Sequence, residues 1–241
     1  MNRGLSLAGS PRISVAPGET AIDPHAHTLF SHCSISQPER IIRRAAAIGL
    51  GGVGIMDHNE IRGAHDAVRC AEYLKSTGEI PDTFLVIPGT EVSSSAGHIG
   101  ALFVDEKLPE SLSPAETVRV IHEAGGLAIA VHPYHSTGIG DAVFDAAFDA
   151  AEVECASVFG AELVRRSRAL ADDARLDKAA KLGSSDAHYV RAVGTCCTVM
   201  ALAEPTLEAA VEAIVRGRCV PSVSAPCRRL RKLLGGVGRL R

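Results

Sequence analysis

The chain has 241 residues, a net charge of −3, 46% hydrophobic residues and 22% charged residues. That length holds one full-sized core and the balance is that of an ordinary globular domain, so nothing global points to nucleic acid or an anionic membrane surface. No apolar run approaches a membrane span, and "MNRGLSLAGSPRISVAPGET" has no continuous apolar core, which predicts no secretory signal and a loosely ordered lead-in over residues 1–20.

Apolar runs and helical stretches then alternate closely. A first short strand leads into "DPHAHTLFSHCS". "SQPERIIRRAAAIGL" reads as a helix opened by Ser36 and Glu39 at capping-box spacing and stopped near Gly49. "GGVGIMDHN" is a short buried strand, "RGAHDAVRCAEYLKSTG" a helix, and "TFLVIPGTEVSS" and "HIGALFV" two strands. In "SPAETVRVIHEAGG" the cap signature returns with Ser113, Pro114 and Glu116, and Gly125-Gly126 ends the helix. "LAIAVHPYH", "AAEVECAS", "KLGSSDAHY" and "VGTCCTVMAL" read as strands, and "PTLEAAVEAIVRG" as a helix with Leu207, Val211, Ile214 and Val215 along one face. Repeated strand–helix units with unbroken apolar strands predict a parallel sheet buried on both sides. With six or seven units and no Gly-rich phosphate loop, the expected fold is α/β, a closed or distorted barrel in a single domain over residues 21–224, followed by a basic tail over 225–241. The tail "CRRLRKLLGGVGRLR" reads as a solvated end, with contact to a polyanion as the alternative.

Seven cysteines, an odd number with no C-x-x-C pair, predict reduced thiols in a cytoplasm rather than a disulfide framework. Cys196 and Cys197 are adjacent on a strand and should face opposite sides. A structural zinc site is not expected.

The polar residues fall in one pattern. His25 and His27, Asp57 and His58, Glu91, His132, and Asp186 with His188 each lie at the C-terminal end of an apolar strand, where barrel enzymes place their chemistry. Residues two apart on an extended segment share a face, so His25 with His27 and Asp186 with His188 can point to one centre. Several neutral imidazoles facing one another are hard to satisfy, because each offers one donor and one acceptor; divalent cations remove the difficulty. Asp23 reads as a structural carboxylate that orients a ligand histidine, and Asp57 as a helix cap or a support for His58. His135 is a candidate proton donor or a loop residue. Glu154 is a candidate for the cleft or for a salt bridge, and His65 and His122 read as helix-surface residues. Arg62 and Arg191 are the arginines nearest the motifs and are candidates to bind phosphate.

Together "DPHAHTLFS", "GIMDHN", "GTEVSS", "HIGAL", "VHP" and "GSSDAH", in this order over roughly residues 22 to 200, resemble the PHP (polymerase and histidinol phosphatase) phosphoesterases, above all the small stand-alone members. The resemblance implies a distorted (β/α)7 TIM-like barrel with two or three divalent ions, Mn, Fe or Zn, in a cleft at the strand C-termini. It implies that His25, His27, Glu91 and Asp186 hold one ion and that Glu91 bridges to a second, completed by His98 and His132. His58 and His188 are implied to hold a third with residue 32. There this chain has His32 where relatives often have Asp and some use a histidine close by, and Pro24 stands where Leu is usual. The implied activity is hydrolysis of a phosphate ester of a nucleotide, short RNA or related small phosphate, with catalytic roles for Glu91, Asp186 and His135. No membrane and no obligate protein partner are expected. Two alternatives stay open: an amidohydrolase-like hydrolase of C–N or C–O bonds, and a non-catalytic metal- or nucleotide-binding module. Against the first, Lys75, Lys107, Lys178 and Lys181 are all read in helices or loops rather than at the end of a strand.

Overall fold

The computed structural model describes residues 13–229, so most of the lead-in and positions 230–241 of the basic tail lie outside the described residues. The strands are β1 (Glu19–Ala26), β2 (Gly52–His58), β3 (Leu85–Ser94), β4 (Gly97–Leu102), β5 (Leu127–Ala130), β6 (Ala150–Cys155), β7 (Ala180–Ser184), β8 (Cys196–Ala201) and β9 (Cys219–Val223). The helices are α1 (Pro38–Ala47), α2 (Arg62–Ser76), α3 (Pro114–Glu123), α4 (Ala161–Ala169) and α5 (Leu207–Val215). The strands form one sheet in the order β7-β6-β5-β4-β3-β2-β1-β8-β9. The first strand takes the last two residues of the expected lead-in, and Ile13 before it is already tied down, its N–H donating to Ile48 O at 2.7 Å.

The sheet curls until its two parts meet. Ala26 bridges Ala187 beyond the end of β7, and Thr198 Oγ1 on β8 accepts from Gly183 N at 2.9 Å and donates to Gly183 O at 2.8 Å. The result is the expected α/β fold, a distorted and nearly closed barrel in a single domain. The all-parallel expectation is corrected at β4, which runs antiparallel to both β3 and β5. Only Ser95 and Ala96 separate β3 from β4, and so short a connection can join only antiparallel neighbours. The sheet is extended beyond β1 by β8 and β9, also antiparallel.

Strand alternation sorts the apolar residues into two layers. Val53 and Ile55, Val86, Ala128 and Ala130, and Ala151 and Val153 face the helices, where Ile41, Ile42, Ala64, Ala67, Leu74 and Ile121 pack on them. Met56, Leu85, Ile87, Leu102, Ile129, Val131, Ala150 and Leu182 form the inner layer, which α5 joins through Ala210, Ala213 and Ile214. Each such Leu or Ile contributes roughly 1.5–3 kcal/mol by burial. Val215, expected on the packed face of α5, is exposed. Cys196 and Cys197 enter different clusters, as their opposite orientations require, and no disulfide joins the described cysteines. Among the described residues no helix is long and apolar enough to cross a membrane.

The two cap readings end differently. Ser113 accepts from Glu116 N and Glu116 answers the Ser113 N–H, a complete capping box at α3. Ser36 does not cap α1: with Pro38 in the first helical turn the N-cap is Gln37, which makes no side-chain cap. The Ser36 hydroxyl instead lies 3.5 Å from His188 O.

Candidate metal centre

The inner layer explains where the polar residues gather. Leu85 and Ile87 belong to it, so two-residue alternation carries the same face on to Gly89 and Glu91 at the end of β3. The same rule takes Met56 to His58 on β2, Ala150 to Glu152 on β6, and Leu182 to Ser184 on β7, with Asp186 two residues past the strand's end. Because β4 is reversed, its first residues lie at the end of the barrel where the parallel strands finish. His98, opposite Ser93, therefore shares a face with Glu91, which lies opposite Gly100, and sits one two-residue step further toward that end.

Two residues need special backbone. Alternation would leave His132 on the helix-facing side with Ala128 and Ala130, but its φ is 27°, and Asp186 has φ 50°. Both occupy the left-handed region, where a non-glycine residue is held at a cost by its surroundings, a common property of functional sites. In β1 the register slips between Asp23 and Ala26, a bulge that re-aims the segment carrying His25.

Six histidines and two carboxylates converge. His25 Nε2 and His27 Nε2 are 3.0 Å apart, and His27 Nε2 is 3.0 Å from Asp186 Oδ1. Glu91 Oε1 lies 2.9 Å from His132 Nε2 and 3.1 Å from His98 Nδ1, and its Oε2 lies 2.9 Å from His58 Nδ1 and 3.4 Å from His27 Nε2. Four groups of potential ligand atoms result: His25, His27 and Glu91; His25, His132 and Asp186; His58, Glu91 and His98; and His27, His58 and His188.

The donor chemistry fits cations. The Ser31 hydroxyl donates to Asp57 Oδ1 at 2.6 Å, so at 3.2 Å from His27 Nδ1 it can only accept, which puts the His27 proton on Nδ1. His25 Nδ1 likewise donates to the Glu152 carboxylate at 3.0 Å. Both Nε2 atoms then face each other, and a cation between them, proton or metal, relieves the pair; burial lowers the His25 pKa, but the carboxylates of Glu152, Asp186 and Glu91 outweigh it and raise it. Glu91 Oε2, His58 Nδ1 and His98 Nδ1 are buried without a hydrogen bond although they are neighbours. Burial alone would raise both carboxyls. The surrounding histidines outweigh it, His132 and His25 at Glu91, and His25, His27 and His132 at Asp186, and hold both well below the usual carboxylate range. Burial pushes His27 down, toward the neutral form a metal ligand requires.

Supporting carboxylates fix these ligands. Asp57 accepts from Thr28 N at 2.7 Å, Thr28 Oγ1 at 2.6 Å and Ser31 Oγ, so it anchors the loop behind His27. It neither caps a helix nor touches the His58 ring. Gly63 is required here, because a Cβ would collide with Asp57 Oδ2 and Thr28 Oγ1. Asp23, buried and pushed up to about 6 by that burial, accepts from Ser185 N at 3.0 Å and Gly194 N at 2.8 Å. It braces the segment of Asp186 rather than a histidine ring, which corrects the expectation. Glu152, missed in the sequence, is fully buried; besides His25 it accepts from His132 N at 2.8 Å. Its signal was its place on the inner face, two residues after Ala150. Glu154, the glutamate singled out instead, pairs with Arg168.

Other expected residues stand apart. His32 is exposed, its ring 5.6 Å from that of His58, and the His27–His58–His188 group forms without it. His135 is half-buried, 5.2 Å from the His132 ring. Arg62 is exposed and paired to Glu60 at 2.5 Å, and Arg191 is exposed. Lys181 lies on β7, contrary to its reading as a loop or helix residue. Its Nζ donates to Leu176 O at 2.5 Å and Ala179 O at 2.7 Å, at the start of the strand and away from the centre.

Residues 165–219 match the PHP-associated family, PHP_C. The protein MJ1587 of Methanocaldococcus jannaschii is 37% identical over 143 residues, covering 54% of this chain and 79% of its own. Among solved structures, a two-domain protein from Bacteroides vulgatus containing a predicted PHP-like metal-dependent phosphoesterase superposes with a TM-score of 0.68 at 17% identity, over 91% of this chain and 70% of that one. Endonuclease Q, solved with a 27-mer duplex bearing an abasic lesion, gives 0.56 at 17% identity over 81% of this chain and 56% of its own. At such identities the structures share the fold, while the family match and the homologous chain speak to descent: this chain belongs to the PHP-domain family.

Proposed function

We propose that the chain hydrolyses a phosphate ester with two or three divalent ions, Mn, Fe or Zn, held by His25, His27, His58, His98, His132, His188, Glu91 and Asp186. One observation carries this reading: the two oxygens of a single buried carboxylate, Glu91, address histidines on both sides of it. Divalent ions so held supply Lewis acidity, lowering the pKa of water and neutralising charge on phosphate. Glu91 and Asp186 offset the ions' charge, and Glu152 and Ser31 hold the rings of His25 and His27 in the tautomers that leave Nε2 free to ligate. His135 accepts at Nδ1 from Thr137 N, 3.4 Å away, which leaves its proton on Nε2, and we assign that proton to the leaving oxygen. His32, exposed with its ring 5.6 Å from that of His58, is our candidate to join the third group only from its rim. Arg62 and Arg191, both exposed and nearest the motifs in sequence, are our candidates for the substrate's remaining oxygens, and the substrates we propose include nucleotides and short RNA. Seven cysteines that form no disulfide support a reducing, cytoplasmic setting.

The test is phosphate release from a panel of nucleotides, short 5′-phosphorylated RNA and small phosphomonoesters, with manganese, iron or zinc added to stripped protein, beside amide and lactone substrates. Metal-dependent phosphate release is expected. Turnover of amides or lactones alone would return the amidohydrolase reading, and no turnover with any metal would favour a binding module.

A further inference from the structure

The loops that follow β6 and β7 enclose a cavity of about 300 Å3 whose lining includes Asp186 and His188 of the metal centre. Its other walls carry Phe159 and Tyr189, which are 43% and 59% exposed. The chain is poor in aromatic residues, 4% with no tryptophan, and among the described residues only three aromatic side chains are exposed. Two of those three stand around this one cavity beside the candidate ligands, where exposed apolar rings gain nothing unless something covers them. Among the described residues, which include Pro226 and Cys227 at the head of the basic tail, no lysine or arginine lines the cavity and Asp186 is its one carboxylate, a lining unlike that of a phosphate site. Hydroxyls are present: Thr195 Oγ1 donates to Ala192 O at 2.7 Å, which leaves its oxygen free to accept from a ring amine.

We propose that this cavity is the base subsite, taking the planar base of a nucleotide against Phe159 and Tyr189 while its phosphate lies at the metal centre. The volume is at the small end of the roughly 300–1,000 Å3 that ligand pockets span, suited to one base with its sugar. Aromatic stacking is tolerant of base identity, so the subsite selects nucleotides as a class. The proposal rests on the phosphoesterase reading for the phosphate half only. The same base can come from a free mononucleotide or from the end of an oligonucleotide.

The experiment compares adenosine 5′-monophosphate, the dinucleotide pApA and ribose 5-phosphate as substrates of the manganese-loaded full chain, and adds calorimetric titration with adenosine, which has no phosphate. The wild type should show a KM for the monophosphate at least ~10-fold below that for ribose 5-phosphate, the scale of one stacked base. In Phe159→Leu and in Tyr189→Leu that ratio should collapse toward one and adenosine binding should weaken by a similar factor. A lower KM for pApA than for the monophosphate assigns an oligonucleotide end and the reverse a free nucleotide, and either supports the subsite. Equal KM values for the monophosphate and ribose 5-phosphate in the wild type, or a ratio unmoved in both variants, would overturn it. If no compound releases phosphate the phosphoesterase reading falls, and adenosine then decides alone: saturable binding weakened by Phe159→Leu upholds the subsite, and no binding removes it.

Discussion

Glu91 is fully buried and, among the described residues, its ion-pair partners are all imidazoles, a placement a carboxylate tolerates only when its charge is compensated. Replacing it with Gln keeps the size and turns one acceptor into an N–H₂ group pointed at imidazole lone pairs. Glu91→Gln should therefore lower metal-dependent phosphate release by more than the ~100-fold typical of losing an outer partner of a metal ligand, with the circular dichroism spectrum unchanged. Activity within a few-fold of wild type would remove Glu91 from the role of shared carboxylate. Legibility at this scale followed strand geometry. His25 with His27 and Asp186 with His188 stood out because two-residue spacing on an extended chain puts both on one side. Glu152 did not, because Glu154 continues the same two-residue spacing from Ala150, and only the register shift between the two glutamates sends one inward and the other to Arg168. His32 was placed by its neighbours in sequence, and its exposure at the rim depends on how the loop after β1 folds back through Ser31 and Ser34.

The elements were legible where a local signal decides them and obscure where pairing does. At α3 the capping box satisfies two backbone N–H groups with its own side chains, and α3 leads directly into β5 and His132. Ser113→Ala should cost about 1 kcal/mol of unfolding free energy in denaturant titration without changing the slope of the transition. No measurable change would mean that solvent replaces the box. The same serine-to-glutamate spacing at Ser36 and Glu39 misled because Pro38 starts the helix one residue later, and Ser36 is used against the His188 carbonyl instead. Strand direction was the larger omission. "HIGALFV" carries the same alternation whichever way it runs, so periodicity could not reverse β4; the two-residue link at Ser95-Ala96 could. That reversal is what brings His98 from the start of a strand to the centre, the one ligand position that a simple parallel barrel would have placed at the wrong end.

For the whole molecule, the barrel is two chemical layers on one inner face. Apolar residues such as Ile87, Leu102 and Ile129 fill the lower part, and above them lie buried imidazoles and carboxylates that do not satisfy one another. Folding the upper layer without a cation leaves polar atoms desolvated and unpaired, each at a cost of about 1–3 kcal/mol. A cation present at ~1,000 times its dissociation constant adds about 4 kcal/mol of stability for each occupied site. In a chain of this size a change of 1 kcal/mol moves the melting temperature by roughly 2–4 °C. Protein purified without chelator should therefore contain more than one transition-metal ion per chain, and stripping it should lower the melting temperature by on the order of 10 °C or more, recovered on adding manganese or zinc. Elemental analysis and paired melting curves measure both. One ion or none after reconstitution, together with a melting temperature indifferent to chelation, would mean that the histidines satisfy each other through protons, and the phosphoesterase mechanism would lose its foundation.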